Sequence, residues 1–272
     1  MSEYQYYEFL AIDRPLDARQ QRELWVLSTR ARITSTSFVN TYHWGDFKGD
    51  PRRLMSEYFD AFLYLANWGT RQLMFRLPTS LLDAEVASRY ATSDSACAWS
   101  AGGHVIVEFA SEKEDEYWEE GAEDLLSSII GVRSELAGGD RRLLYLAWLL
   151  SVDAGELDQE VVEPAVPAGL ATLSPPLQSF VEFLRLALQM VRLARLAKDP
   201  DQFEHRLRPG VAELARFRRS ERASLITSAG ADHGCRPPTS PRSPGRTLRR
   251  GASTGPSRLS AVWFAQRQKP GT

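Results

Sequence analysis

The chain has 272 residues, of which 43% are hydrophobic and 25% charged, the composition of an ordinary folded protein with enough residues to bury a sizeable core. The longest uninterrupted apolar run, LLYLAWLL at residues 143–150, is far short of the ~20 residues that a membrane-spanning helix needs, so no membrane partner is expected. The net charge of −2 conceals an asymmetry: residues 228–272 carry eight basic side chains against Asp232 alone, leaving 25 basic and 34 acidic groups, a net −9, on residues 1–227. An acidic body disfavours nucleic acid, whose contacts would be confined to the basic tail.

In chain order, residues 4–12 (YQYYEFLAI) form an aromatic-rich strand that stops before Pro15, because proline cannot donate to a sheet ladder. Asp17 followed by Gln20 reads as a capping box, opening a helix whose apolar stripe includes Leu24 and Leu27. Two runs dense in β-branched and aromatic residues follow, 33–44 and 61–77, the second broken at Trp68-Gly69-Thr70 as in a hairpin. Between them Asp50-Pro51 predicts a short helix, an N-cap followed by proline at the first helical position. Residues 80–90 carry a short helical pattern, and two strand runs, 96–100 and 104–110, flank Ala101-Gly102-Gly103. About six strands with two or three helices predict an α+β domain over residues 1–110, a mostly antiparallel sheet with helices on one face.

From residue 111 the character becomes helical. Eight carboxylates crowd into residues 112–124 and lead to a helix closed by Gly138-Gly139; Asp140 opens another; residues 177–196 form a strongly amphipathic one; and 200–220 can form a last. Residues 111–227 are therefore expected to be an α-helical region. Residues 228–272, rich in proline, glycine and serine, are expected to be a disordered basic tail, native or out of frame. The N-terminus shows no signal-peptide pattern and the two cysteines suggest no disulfide framework, so a cytoplasmic protein is expected.

No sequence signature of a nucleophile elbow, phosphate loop or paired metal site occurs, so no catalytic residue, metal or cofactor is assigned. The candidate binding residues are His43, Trp44 and Asp46 where a strand meets a loop, a polar cluster that Glu57 or Asp60 could join, with Trp68 and Trp99 near other strand ends. Trp25, Trp118 and Trp148 fall in helical patterns and are expected in the core. Glu116, Glu119 and Glu120 offer an acidic docking face, their spacing unlike a calcium loop.

YYEFLAIDRPL (6–16), FVNTYHWGDFKGDP (38–51), YFDAFLYLANWG (58–69) and GDRRLLYLAWL (139–149) are similar to an uncharacterised family of bacterial proteins from GC-rich, actinobacterial-type genomes. The resemblance spans residues 4–188, implies a bacterial origin and a folded body, and transfers no activity. The expected function is a non-enzymatic interaction protein, adaptor or accessory, whose partner is another protein. The alternatives are a small-molecule or metal-dependent enzyme using the His43/Asp46 loop end, and a nucleic-acid-associated accessory protein.

Overall fold

The computed structural model describes residues 3–113, 122–157, 161–187, 191, 211–212 and 215–219. Seven strands, β1 (Gln5–Leu10), β2 (Arg32–Ile33), β3 (Ser37–Tyr42), β4 (Ala61–Ala66), β5 (Thr70–Pro78), β6 (Ala96–Ala101) and β7 (His104–Glu112), form one sheet in the order β2-β3-β1-β4-β5-β7-β6. Every neighbouring pair is antiparallel. The first strand sits between β3 and β4, with Gln5 opposite both Tyr42 and Ala66.

Side chains alternate along each strand, so the sheet has two buried faces. Leu73, Phe75 and Leu77 of β5 with Val105, Val107 and Phe109 of β7 face a core shared with the C-terminal helices. Phe9, Phe38, Phe62, Met74 and Ile106 face a second core. Helices α1 (Ala18–Leu27) and α2 (Pro51–Glu57) cover that second core, giving it Leu24, Leu54 and Met55. Helix α3 (Ala84–Tyr90) joins the first core together with α4 (Leu125–Ile129), α5 (Gly131–Ala137), α6 (Arg142–Asp153) and α7 (Pro175–Phe183). The predicted α+β architecture with a following helical region holds, but the helices are not on one face: α1 and α2 share one, and α3 lies on the other with the later helices.

Local chemistry follows the sequence closely. Asp17 accepts from the Arg19 and Gln20 amides while the Gln20 side chain accepts from the Asp17 amide, a complete capping box. Asp50 accepts from the Arg52 and Arg53 amides ahead of Pro51. Gly102 and Gly103, both at positive φ, turn β6 into β7. Trp148 is buried in α6 and stacks on Tyr145 at 5.8 Å, as the helical pattern implies.

Four further expectations are revised. The helix expected over 125–137 breaks at Ile130 into α4 and α5, where Pro176 packs so closely on Gly131 that a Cβ there would lie 2.7 Å from Pro176 Cγ. The helix expected from 177 closes at Phe183; Arg185 turns to φ +54°, and its carbonyl accepts from Lys113 Nζ at 2.6 Å. Cys97, buried on β6, is disulfide-bonded, where the sequence suggested no disulfide framework. Trp25, expected in the core, is 45% exposed, because the last turn of α1 commits Leu24 to the sheet and points its neighbours outward. The expected tail, Trp118 and nearly all of the helix expected over 200–220 lie outside the described residues.

Candidate functional site

Three strand ends meet on one side of the sheet: the exit of β3, the entry of β1 and the exit of β4. The loop leaving β3 turns at Gly45, whose φ of +78° suits glycine. Its conformation is fixed from below by Gln5, which is buried. Gln5 Nε2 donates to the Gly45 carbonyl and to Asp46 Oδ1, both at 3.2 Å. Gln5 Oε1 accepts from Tyr7 at 2.7 Å and from Tyr64 at 3.1 Å. Both donors and both acceptor positions of one buried amide are therefore used, a fully satisfied network of the kind that rigidifies its surroundings. Burial pushes the Tyr64 phenol up to about 12, a Tyr7 hydrogen bond opposing and the Asp46 carboxylate adding to the rise. The Tyr7 phenol is raised still further, chiefly by burial. Neither tyrosine is poised for proton transfer near neutral pH.

Above this frame stand several aromatic side chains. His43 meets Tyr4 edge-on at 5.7 Å between ring centroids. The Tyr4 amide donates to Asn67 Oδ1 at 3.1 Å and the Asn67 amide returns a bond to the Tyr4 carbonyl at 3.0 Å. Next to Asn67, Trp68 caps the β4–β5 turn and is 48% exposed. On the other side Trp44 is 65% exposed, the Arg30 guanidinium lying 4.2 Å above its ring. His43, Trp44, Asp46 and Trp68 thus share one rim. Trp99 does not. It sits on the edge strand β6 opposite Ile106, is 8% exposed, and packs in the second core with the Arg52 guanidinium 5.4 Å from its ring; its indole N–H is buried without a hydrogen-bond partner among the described residues.

His43 and Asp46 do not form an acid–base pair: Asp46 is turned to Gln5, and no hydrogen bond joins the two among the described residues. Nor do three or more histidine, cysteine or carboxylate side chains converge for a metal ion among the described residues. A cleft of about 360 Å³ lies elsewhere, lined by residues such as Thr79, Ser80, Asp83, Leu136 and Arg141. Glu116, Glu119 and Glu120 lie outside the described residues.

Of the buried polar groups the sequence singles out Asp60 alone, as a member of the His43/Asp46 cluster, whereas in the structure it is bonded to Arg76 and to the Ile12 and Asp13 amides. Glu108, inside the apolar strand HVIVEFA, is buried and accepts from Arg52 Nε at 2.7 Å and from Gln72 Nε2. Asp60 is wholly buried; its Oδ2 accepts from the amides of Ile12 (2.7 Å) and Asp13 (2.9 Å), its Oδ1 from Arg76 Nη2 (2.8 Å) and Nε (3.1 Å). Asp153 is paired with Lys113 at 2.5 Å and Arg218 at 3.2 Å. A lone charge within an apolar run was a visible signal for Glu108 alone. These are structural pairs that knit strands to helices.

No known protein family matches the chain, and comparison with curated proteins and with solved structures likewise finds no match.

Proposed function

We propose that the protein is a non-enzymatic interaction protein that receives another protein on the rim formed by Trp44, His43, Tyr4 and Trp68. The observation that carries this reading is the pairing of exposed aromatic side chains with a rigid base: two tryptophans about half or more exposed stand over a buried amide whose hydrogen-bonding capacity is filled. Large amphipathic rings presented on a preorganised frame suit binding, because little conformational entropy is lost when they are covered. Among the described residues no helix is long and apolar enough to cross a membrane. A bacterial origin and a cytoplasmic location belong to the same proposal on sequence grounds.

The test places a photo-crosslinking amino acid at position 44, and separately at 68, in the full chain expressed in its own cells. A defined protein adduct from both positions, absent when the probe replaces the exposed Leu81, is expected. Adducts equal at all three positions, or at none, would overturn the proposal.

A further inference from the structure

The cleft of about 360 Å³ lies at the opposite end of the sheet from the rim: β5 enters the sheet beside Trp68 and leaves it at Pro78, next to the cleft. Its walls are the loop of residues 79–83, the start of α3 and the α5–α6 connection. The loop is held in place. The Thr79 amide and hydroxyl both donate to the Gly103 carbonyl, at 3.0 and 3.1 Å, and the Leu81 and Leu82 amides donate to that of Pro78. Leu82 and Leu136, both buried, and the half-buried Val86 supply apolar surface.

Two unlike charges line the same cleft. Asp83 accepts from the Glu85 amide at 2.7 Å through Oδ1, which leaves Oδ2 unbonded among the described residues. The Arg141 guanidinium hydrogen-bonds the buried Tyr90 hydroxyl, which itself donates to the Ala165 carbonyl at 2.9 Å. Neither Asp83 nor Arg141 enters an ion pair among the described residues, with each other or with any other side chain. The charged groups around them are paired, Glu85 with Arg89, and Asp140 and Glu135 with Arg142.

We propose that this cleft binds a free α-amino acid with an apolar side chain, its carboxylate on Arg141, its ammonium on Asp83, and its side chain on Leu82, Val86 and Leu136. The inference goes beyond the rim reading and does not depend on it. A simple anion would meet Asp83 and a simple cation Arg141, while an uncharged apolar molecule would leave both charges without partners; a zwitterion answers both and is itself neutral. Its dimensions agree. Asp83 and Tyr90, which holds Arg141, stand seven residues and so about 10 Å of helix apart. Two charge-assisted hydrogen bonds of about 2.8 Å, with the short backbone of an amino acid between them, cover a span of that order. The volume is that of a small-molecule site, in which a few polar groups fix orientation against apolar walls.

The test titrates the full chain with L-leucine, L-methionine and L-phenylalanine, followed by saturation-transfer nuclear magnetic resonance. At least one should bind saturably. N-acetylation, which removes the ammonium charge, and conversion to the amide, which removes the carboxylate, should each weaken that ligand at least tenfold. Arg141→Gln should do the same, as should Asp83→Asn, which keeps an N-cap residue on α3. Trp44→Ala, on the rim, should leave binding unchanged, so the outcome is independent of the rim reading. No saturable binding of any of the three up to about 10 mM, well above a millimolar Kd, would overturn the proposal. So would acetylated and amidated forms that bind as well as the parent, or binding indifferent to both cleft variants.

Discussion

Asp60 offers the sharpest test of what holds the sheet to its flanking segments. Its carboxylate receives four hydrogen bonds, two from backbone amides just past β1 and two from Arg76 on β5, and the side chains of the pair are 1% and 12% exposed. Arg133 on α5 closes the arrangement, donating to the Arg76 carbonyl at 2.9 Å and to Asp13 at 2.5 Å. Asp60→Ala removes the acceptor but leaves the guanidinium buried, with the Ser56 carbonyl at 3.3 Å among its remaining acceptors. Removing one member of a buried pair costs about 3–5 kcal/mol, here toward the middle because Ile12, exposed at one end, can take water at its amide. At roughly 2–4 °C per kcal/mol for a folded body of this size, the midpoint should fall by about 8–16 °C. Urea denaturation followed by tryptophan fluorescence reads the loss, and the cycle with Arg76→Met isolates the pair. The double variant should be less destabilised than the sum of the singles by at least ~1 kcal/mol. A loss under ~1 kcal/mol for Asp60→Ala, the value of an exposed ion pair, would refute the reasoning.

Other outcomes follow from the same geometry. Burial holds the Glu8 carboxyl above the usual carboxylate range, against the opposing Tyr6 hydrogen bond and Arg32. A raised folded value gives stability that is full at acid pH and lost as pH rises through it, so Glu8→Gln should stabilise at pH 7 and flatten the urea midpoint between pH 4 and 7. Arg52→Met should cost about 2–3 kcal/mol, discounted because Arg52 is 26% exposed, and Arg52→Met with Glu108→Leu should recover most of it in the same assay. Gly45→Ala should cost about 1 kcal/mol from its positive φ alone, since no atom lies within 4 Å of the new Cβ. Gly155→Ala should cost more, its Cβ meeting the Arg218 backbone at 2.7 Å; calorimetry ranks the two. Trp148→Ala should cost about 3–5 kcal/mol, whereas Trp25→Gln should move the thermal midpoint by no more than about 0.5 kcal/mol equivalent.

Features set by nearest neighbours in the chain were legible. The Asp17 capping box, the Asp50-Pro51 helix start, the Gly102-Gly103 turn and the Trp68-Gly69 hairpin all lie where their residue chemistry puts them. What failed depended on distant partners. The continuous helical pattern through Ile130 gave no hint that Pro176 would press on Gly131. The periodicity of residues 177–196 could not register Arg185 swinging to meet Lys113. Trp99 has the strand-end position of an exposed aromatic, yet α2 brings Arg52 over it and closes the second core.

The rim shows the same division at the level of the site. His43, Trp44 and Asp46 were adjacent in sequence and could be grouped by inspection. That Trp68 joins them follows from the insertion of β1 between β3 and β4, a strand order that no local pattern encodes. The role of Asp46 was equally hidden: beside His43 it reads as a catalytic partner, whereas the buried Gln5, forty-one residues earlier, claims it as a latch. Gln5 therefore explains both why the loop end is rigid and why its histidine and carboxylate act separately. A group used to hold a loop is not available to move a proton, and what this end of the sheet presents most prominently is its exposed aromatic rings.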